Sequence, residues 1–170
     1  MRRNTIFALG LLLPFLGASW ASASSTVTLE KTHLCCPKCV KAASAAVTGA
    51  GATAKCDLNA KSITITAPDD ATAQKAVDAL VAAGFYGSAT GATVKDDSGA
   101  PTGNVKSLTI SDIHNCCGKC SKAINGVIKS VDGATGEIKA NEQTVTITGD
   151  FDAQKLVQAF NDAGFSVKAK

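Results

Sequence analysis

Seven of the 170 residues are cysteines, and six of them fall in two copies of one arrangement, His-x-Cys-Cys-x-x-Cys, at His33–Cys39 and at His114–Cys120. In each copy two cysteines stand three residues apart, Cys36 with Cys39 and Cys117 with Cys120. At the start of a helix that spacing lets two thiols converge on one ion. A helix N-terminus and a neighbouring lysine, Lys38 or Lys119, favour the thiolate form. Thiolates are soft donors, suited to Cu(I), Zn(II), Cd(II) or Hg(II). Each copy adds a third thiol, Cys35 or Cys116, and an imidazole, His33 or His114, the two histidines of the chain. These extra donors open three- or four-coordinate sites of the kind zinc and cadmium take. The bland alternatives are a spectator thiol and a histidine without a ligand role.

The opposing chemistry is a disulfide framework, the default for a small, cysteine-dense secreted chain. Two matched copies of one cluster weigh against it. A Cys35–Cys36 bridge is also disfavoured, because adjacent Cα atoms lie about 3.8 Å apart, below the roughly 4.4–6.8 Å of ordinary disulfides. Cys56 has no counterpart in the second copy, where Ile138 aligns with it. It alternates with Ala54 and Leu58 and reads as a buried, small apolar side chain.

Elements that could hold these clusters repeat with them. Alternating strands, Val27 with Leu29 and Leu108 with Ile110, precede the cysteines. A helical stripe follows each cluster, Val40, Ala43 and Val47 in one and Ile124, Val127, Ile128 and Val131 in the other. Two short strands come next, about Thr53–Leu58 and Ser62–Thr66, then about Thr135–Lys139 and Thr144–Thr148. A second helix carries Ala73, Val77, Leu80 and Val81, or Leu156, Val157 and Phe160. Gly84 and Gly164 stand where a helix C-terminal glycine belongs, and a last strand closes each unit. The chain is therefore read as α+β, two tandem ferredoxin-like βαββαβ domains. The boundaries are 24–90 and 105–170, joined by a flexible linker, 91–104, rich in turn formers. Units of this size leave no room for an enclosed active site beside a core, which speaks against an enzyme.

At this point the chain resembles the heavy-metal-associated domain family, which includes copper chaperones, N-terminal domains of metal-transporting ATPases and periplasmic mercury-binding proteins. The resemblance rests on the element order, on Cys-x-x-Cys at the first loop–helix junction and on Gly-Phe after the second helix. It implies that Cys36 and Cys39 are the ligands of the first unit and Cys117 and Cys120 those of the second. It also implies a soft metal ion as cargo, copper(I) first, with mercury, zinc or cadmium as alternatives. A membrane metal transporter is an implied partner. The family's usual methionine two residues before the first ligand is replaced by Leu34 and Asn115. Leucine can pack under the loop as methionine does; asparagine cannot do so fully, so the second loop is expected to differ.

The first 23 residues read as a secretory signal peptide: Arg2-Arg3, an apolar run from Ile6 to Ala18, and Ala21-Ser22-Ala23 as the cleavage signal. The expected location is secreted or periplasmic, with no membrane span after cleavage. Removing Arg2 and Arg3 lowers the formal net charge from +3 to +1 and leaves no arginine. Nucleic-acid binding therefore gains no support. Three functions remain open: metal capture, with one ion per unit or one shared; thiol–disulfide exchange by the same pairs; and metal-dependent docking onto a transporter.

Overall fold

The computed structural model describes residues 24–170, so the expected signal peptide lies outside the described residues. Strand β1 (Ser25–Glu30) leads to helix α1 (Pro37–Gly49). Strands β2 (Thr53–Asp57) and β3 (Ser62–Ala67), helix α2 (Asp70–Ala82) and strand β4 (Ser88–Thr90) complete the first unit. The second runs β5 (Asn104–Ser111), α3 (Gly118–Ser130), β6 (Ala134–Thr135), β7 (Val145–Asp152), α4 (Ala153–Asp162) and β8 (Lys168–Ala169). The strands order as β2-β3-β1-β4 and β6-β7-β5-β8, and every pairing is antiparallel. This arrangement fits the ferredoxin-like fold.

The registers explain which side chains face the helices. Val27 pairs with Ile65 and Leu29 with Ile63; all four are fully buried against Ala43, Val47, Val77 and Leu80. In the second sheet Leu108 pairs with Ile147 and Ile110 with Val145, beneath Ile124, Ile128, Leu156 and Phe160. Period-2 alternation buries one face of a strand and period 3.6 buries one stripe of a helix, so these layers close on each other. Helices α2 and α4 begin with capping aspartates: Asp69 accepts from the Thr72 amide, and Asp152 from the Gln154 and Lys155 amides. Helices α1 and α3 begin instead at Cys36 and Cys117.

One strand differs from expectation. The run expected at about Thr135–Lys139 shrinks to Ala134–Thr135. Asn125 of α3 explains the change. Its side chain accepts from the Ile138 amide at 2.9 Å and donates to the Ile138 carbonyl at 3.1 Å. The backbone that would have joined the sheet is bonded to the helix instead, while Ile138 still fills the core. Asn125→Ala would strip a partly buried amide and carbonyl of their partners. It should lower stability by about 1–3 kcal/mol, measured by chemical denaturation; a change within error would refute this account.

The connector 91–104 has the irregular backbone its composition implies, but it is fastened along its length. The Gln74 side chain brackets Thr93, accepting from its amide at 2.9 Å and donating to its carbonyl at 2.8 Å. Asn161 donates to Asp96 at 2.8 Å, Lys168 pairs with Asp97 at 2.6 Å, and the Ala169 amide donates to the Ser98 carbonyl at 2.7 Å. Turn-forming composition reports the lack of a repeating pattern; it does not report the lack of partners.

The two units also meet directly. Phe85 and Phe165 form an antiparallel bridge. The amides of His33 and Tyr86 donate to the Gly164 carbonyl at 3.2 and 3.1 Å, and the Ser166 amide to the Gly84 carbonyl at 3.1 Å. Phe165 stacks on His33 with ring centroids 4.2 Å apart, and Phe85 packs on His114 at 4.3 Å. The contact is close to twofold: each unit's Gly-Phe meets the other's histidine.

Candidate metal centre

The loops leading into α1 and α3 face each other across this contact, and so do their thiols. Cys36 and Cys117 occupy the two N-cap positions in extended conformation, with no side-chain capping bond. Cys39 and Cys120 lie in the first turns, fully buried. Cys35 and Cys116 precede the caps. Each loop is anchored differently. Leu34 is buried in the core, as methionine would be. Asn115 is also buried, but its amide donates to the Lys139 and Glu142 carbonyls at 2.7 and 2.8 Å. The expected difference between the loops is thus a polar tie in place of an apolar plug.

All seven cysteines are free thiols, and six of them form one cluster. Within the first unit Cys39 Sγ lies 3.6 Å from Cys35 and 3.7 Å from Cys36. Within the second, Cys120 Sγ lies 3.8 Å from Cys116 and 3.9 Å from Cys117. Contacts between the units are as short: Cys35–Cys120 is 3.4 Å, Cys39–Cys116 3.5 Å, Cys35–Cys117 3.7 Å and Cys36–Cys117 3.8 Å. Four sets of donors stand close enough to share an ion: Cys35, Cys36 and Cys117; Cys36, Cys39 and Cys116; Cys116, Cys117 and Cys120; and His33, Cys35 and Cys120. Three of the four draw on both units.

His33 therefore stands at the rim of the cluster, within ligand distance of two thiols. His114 belongs to none of those sets. Both imidazoles carry a buried Nε2 without a hydrogen-bond partner. Burial holds His33 below its ordinary pKa, the Cys39 thiolate opposing this and Lys61 and His114 adding to it. A neutral imidazole keeps the lone pair that metal binding requires. Cys56 sits apart from the cluster. It is only half-buried and lies 3.8 Å from Ser44 Oγ, and burial raises its pKa. The fully buried side chain expected there is found instead at Ile138.

Electrostatics divide the cluster: burial pushes Cys35 and Cys116 up and keeps them protonated, while negative charge gathers at Cys39 and Cys117. Cys39 is held far below the ordinary thiol range, chiefly by S–H donation from Cys120, with His114, Cys35 and Cys116 assisting against the cost of burial. Cys120 is pushed up for the same reason, since its proton stabilises the neighbouring thiolate. Exchanging the two units exchanges these two residues, so the charge belongs to the cluster. Cys117 is lowered to about 6, first by the Cys120 amide and, after the opposing cost of burial, by the Lys119 amide, at the start of α3; a helix N-terminus favours an anion there. A depressed pKa means that the thiolate is present above it and lost as pH falls through it. The metal-free protein under reductant should therefore absorb as a thiolate near 240 nm at pH 7. A downward step is expected as pH falls through about 6, and a flat profile from pH 8 to 5 would contradict it.

The family comparison agrees with this chemistry. Residues 107–166 match the heavy-metal-associated domain. The match runs from within β5 to the end of the Gly-Phe turn and includes Cys116, Cys117 and Cys120. No curated protein and no solved structure matches the chain. A heavy-metal-associated domain and a cluster of soft donors point to the same activity, heavy-metal binding. No helix among the described residues is long and apolar enough to cross a membrane.

Sequence reasoning left open whether each cluster works alone or the two share an ion. It did not foresee that Gly84, Phe85, Gly164 and Phe165 would join the units. Their signal is the one Gly-Phe pair per unit, which in the sequence marks a helix end and the family resemblance but not a contact between units.

Proposed function

We propose that this protein captures soft metal ions in a secreted or periplasmic setting, using two heavy-metal-associated units that close on one shared thiol centre. The single observation carrying this reading is the interleaving of six sulfurs from two units at 3.4–4.0 Å. Ordinary packing does not gather six thiols at the heads of two helices. Soft thiolate donors select copper(I) over harder ions, and copper(I) is the first choice, with mercury, zinc and cadmium behind it. The role is binding and delivery rather than catalysis. The half-buried Cys35, Cys36, Cys116 and Cys117 offer an exit by ligand exchange, with a membrane metal transporter as the natural recipient.

Anaerobic titration with copper(I) against a competing chelator, followed by mass spectrometry, tests the reading. Tight binding by the wild type and its loss on replacing Cys36, Cys39, Cys117 and Cys120 together with Ser are expected. Tight binding that survives the fourfold replacement sinks it. A thiol–disulfide role draws on the same closeness, Cys35 and Cys120 being 3.4 Å apart. A measurable disulfide reductase rate in metal-free protein would favour that alternative.

A further inference from the structure

The six sulfurs are arranged as an octahedron. Each sulfur has one opposite number that it does not approach: Cys35 faces Cys116, Cys36 faces Cys120, and Cys39 faces Cys117. Every other pair is an edge. Ten of these edges measure between 3.4 and 4.0 Å. The remaining two, Cys35–Cys36 and Cys116–Cys117, are within 4.8 Å.

An octahedron of donors offers two kinds of place for a metal, and the edge lengths separate them. Dividing an edge by √2 gives the distance to the centre, and dividing by √3 gives the distance from a corner to the middle of a face. The centre lies about 2.4–2.8 Å from the sulfurs, longer than the roughly 2.3 Å of a d10 metal–thiolate bond. A face with all three edges in that range, such as Cys36–Cys39–Cys116 or Cys35–Cys39–Cys120, has its middle about 2.0–2.3 Å from its sulfurs, close to that bond length. Charge leads to the same place. One ion at the centre would leave six thiolates around a single or double positive charge, a large uncompensated charge in a half-buried site.

From this geometry we infer that the shared centre holds a cluster of four monovalent soft ions of the cuprous class, one on each of four alternate faces. The inference rests on the metal-capture reading above and assigns its stoichiometry and ion class. The triads Cys35–Cys36–Cys117, Cys36–Cys39–Cys116 and Cys116–Cys117–Cys120 are three such faces. They share only corners. The fourth face, Cys35–Cys39–Cys120, has edges of 3.6, 3.4 and 4.0 Å and closes the set. Each sulfur then belongs to two faces and bridges two ions. Cys35 and Cys116 become as necessary as the Cys-x-x-Cys pairs. Loading is a proton exchange without electron transfer: four M+ and six thiolates give a cluster of charge −2, and every sulfur still protonated releases its proton. The N-termini of α1 and α3 both meet this residual negative charge, at Cys36 and Cys117. Zinc fits less well, because it takes a tetrahedron of ligands and a face supplies three.

The test is anaerobic copper(I) titration of the reduced protein, read by native mass spectrometry and by X-ray absorption at the metal edge. The expected result is a species with four ions that dominates even below saturation. A metal–metal separation of about 2.5 Å is expected with it, two-thirds of the mean edge. Cys35→Ser and Cys116→Ser, each with its four Cys-x-x-Cys thiols intact, should both abolish the four-ion species. Saturation at one or two ions, or four-ion loading that survives both variants, overturns the inference while leaving metal capture standing. Failure to bind copper(I) tightly at any ratio overturns both.

Discussion

Replacing Cys36 and Cys39 with Ser should reduce metal affinity of the whole protein by at least a hundredfold rather than halve its capacity. If the units were independent, Cys117 and Cys120 would keep their own ion and half the tight binding would remain. The geometry works against that division, because three of the four donor sets draw on both units. Cys36 Sγ lies 3.8 Å from both Cys116 and Cys117, and Cys39 Sγ lies 3.5 Å from Cys116 and 4.0 Å from Cys120. The thiols of one unit border the same space as those of the other. A hundredfold loss corresponds to about 2.8 kcal/mol at 1.4 kcal/mol per factor of ten, a modest figure for two removed ligands. Competition with a chelator of fixed affinity measures it. A variant that retains half the metal at unchanged affinity would show the sites to be separate.

Gly84→Ala and Gly164→Ala should each destabilise the protein by roughly 2–4 kcal/mol and should weaken metal binding with no change in any ligand. Both glycines have φ of +84°, and a Cβ there meets the other unit's backbone. At Gly84 it would lie 2.6 Å from the His114 nitrogen and 2.8 Å from the Asp112 oxygen; at Gly164 it would collide with the His33 nitrogen and lie 2.7 Å from the Lys31 oxygen. Gly51 is the control. Its φ is +86°, but its Cβ would meet only the Thr72 methyl at 3.7 Å. Gly51→Ala should therefore cost only the conformational term of about 1 kcal/mol and leave affinity unchanged. Thermal unfolding and chelator competition on the three variants separate the two causes. Equal effects at Gly51 and Gly84 would mean that the contact between units contributes nothing.

Some elements were legible because their cause is local. Val27 with Leu29, and Leu108 with Ile110, alternate because one face of each strand is buried. Gly84 and Gly164 end helices because the turn needs positive φ. The strand expected at Thr135–Lys139 was misjudged because its hydrogen bonds are taken by Asn125, ten or more residues earlier. Cys56 was misjudged because alternation says which face a residue takes but not how well that face is covered. The connector's partners, Gln74, Asn161 and Lys168, are scattered over the chain and leave no mark in its composition.

The sequence by itself presented the candidate donors. Two copies of His-x-Cys-Cys-x-x-Cys at helix starts, in repeated βαββαβ order, name soft-metal chemistry from residue type and spacing alone. Only the tertiary structure decided that the two copies make one centre. Spacing within a motif reports distances that a helix turn sets over three or four residues. The distance between Cys35 and Cys120 is set by a contact 85 residues away in sequence, held by Phe85 on His114 and Phe165 on His33. No local pattern encodes that contact, because it depends on how two finished surfaces fit.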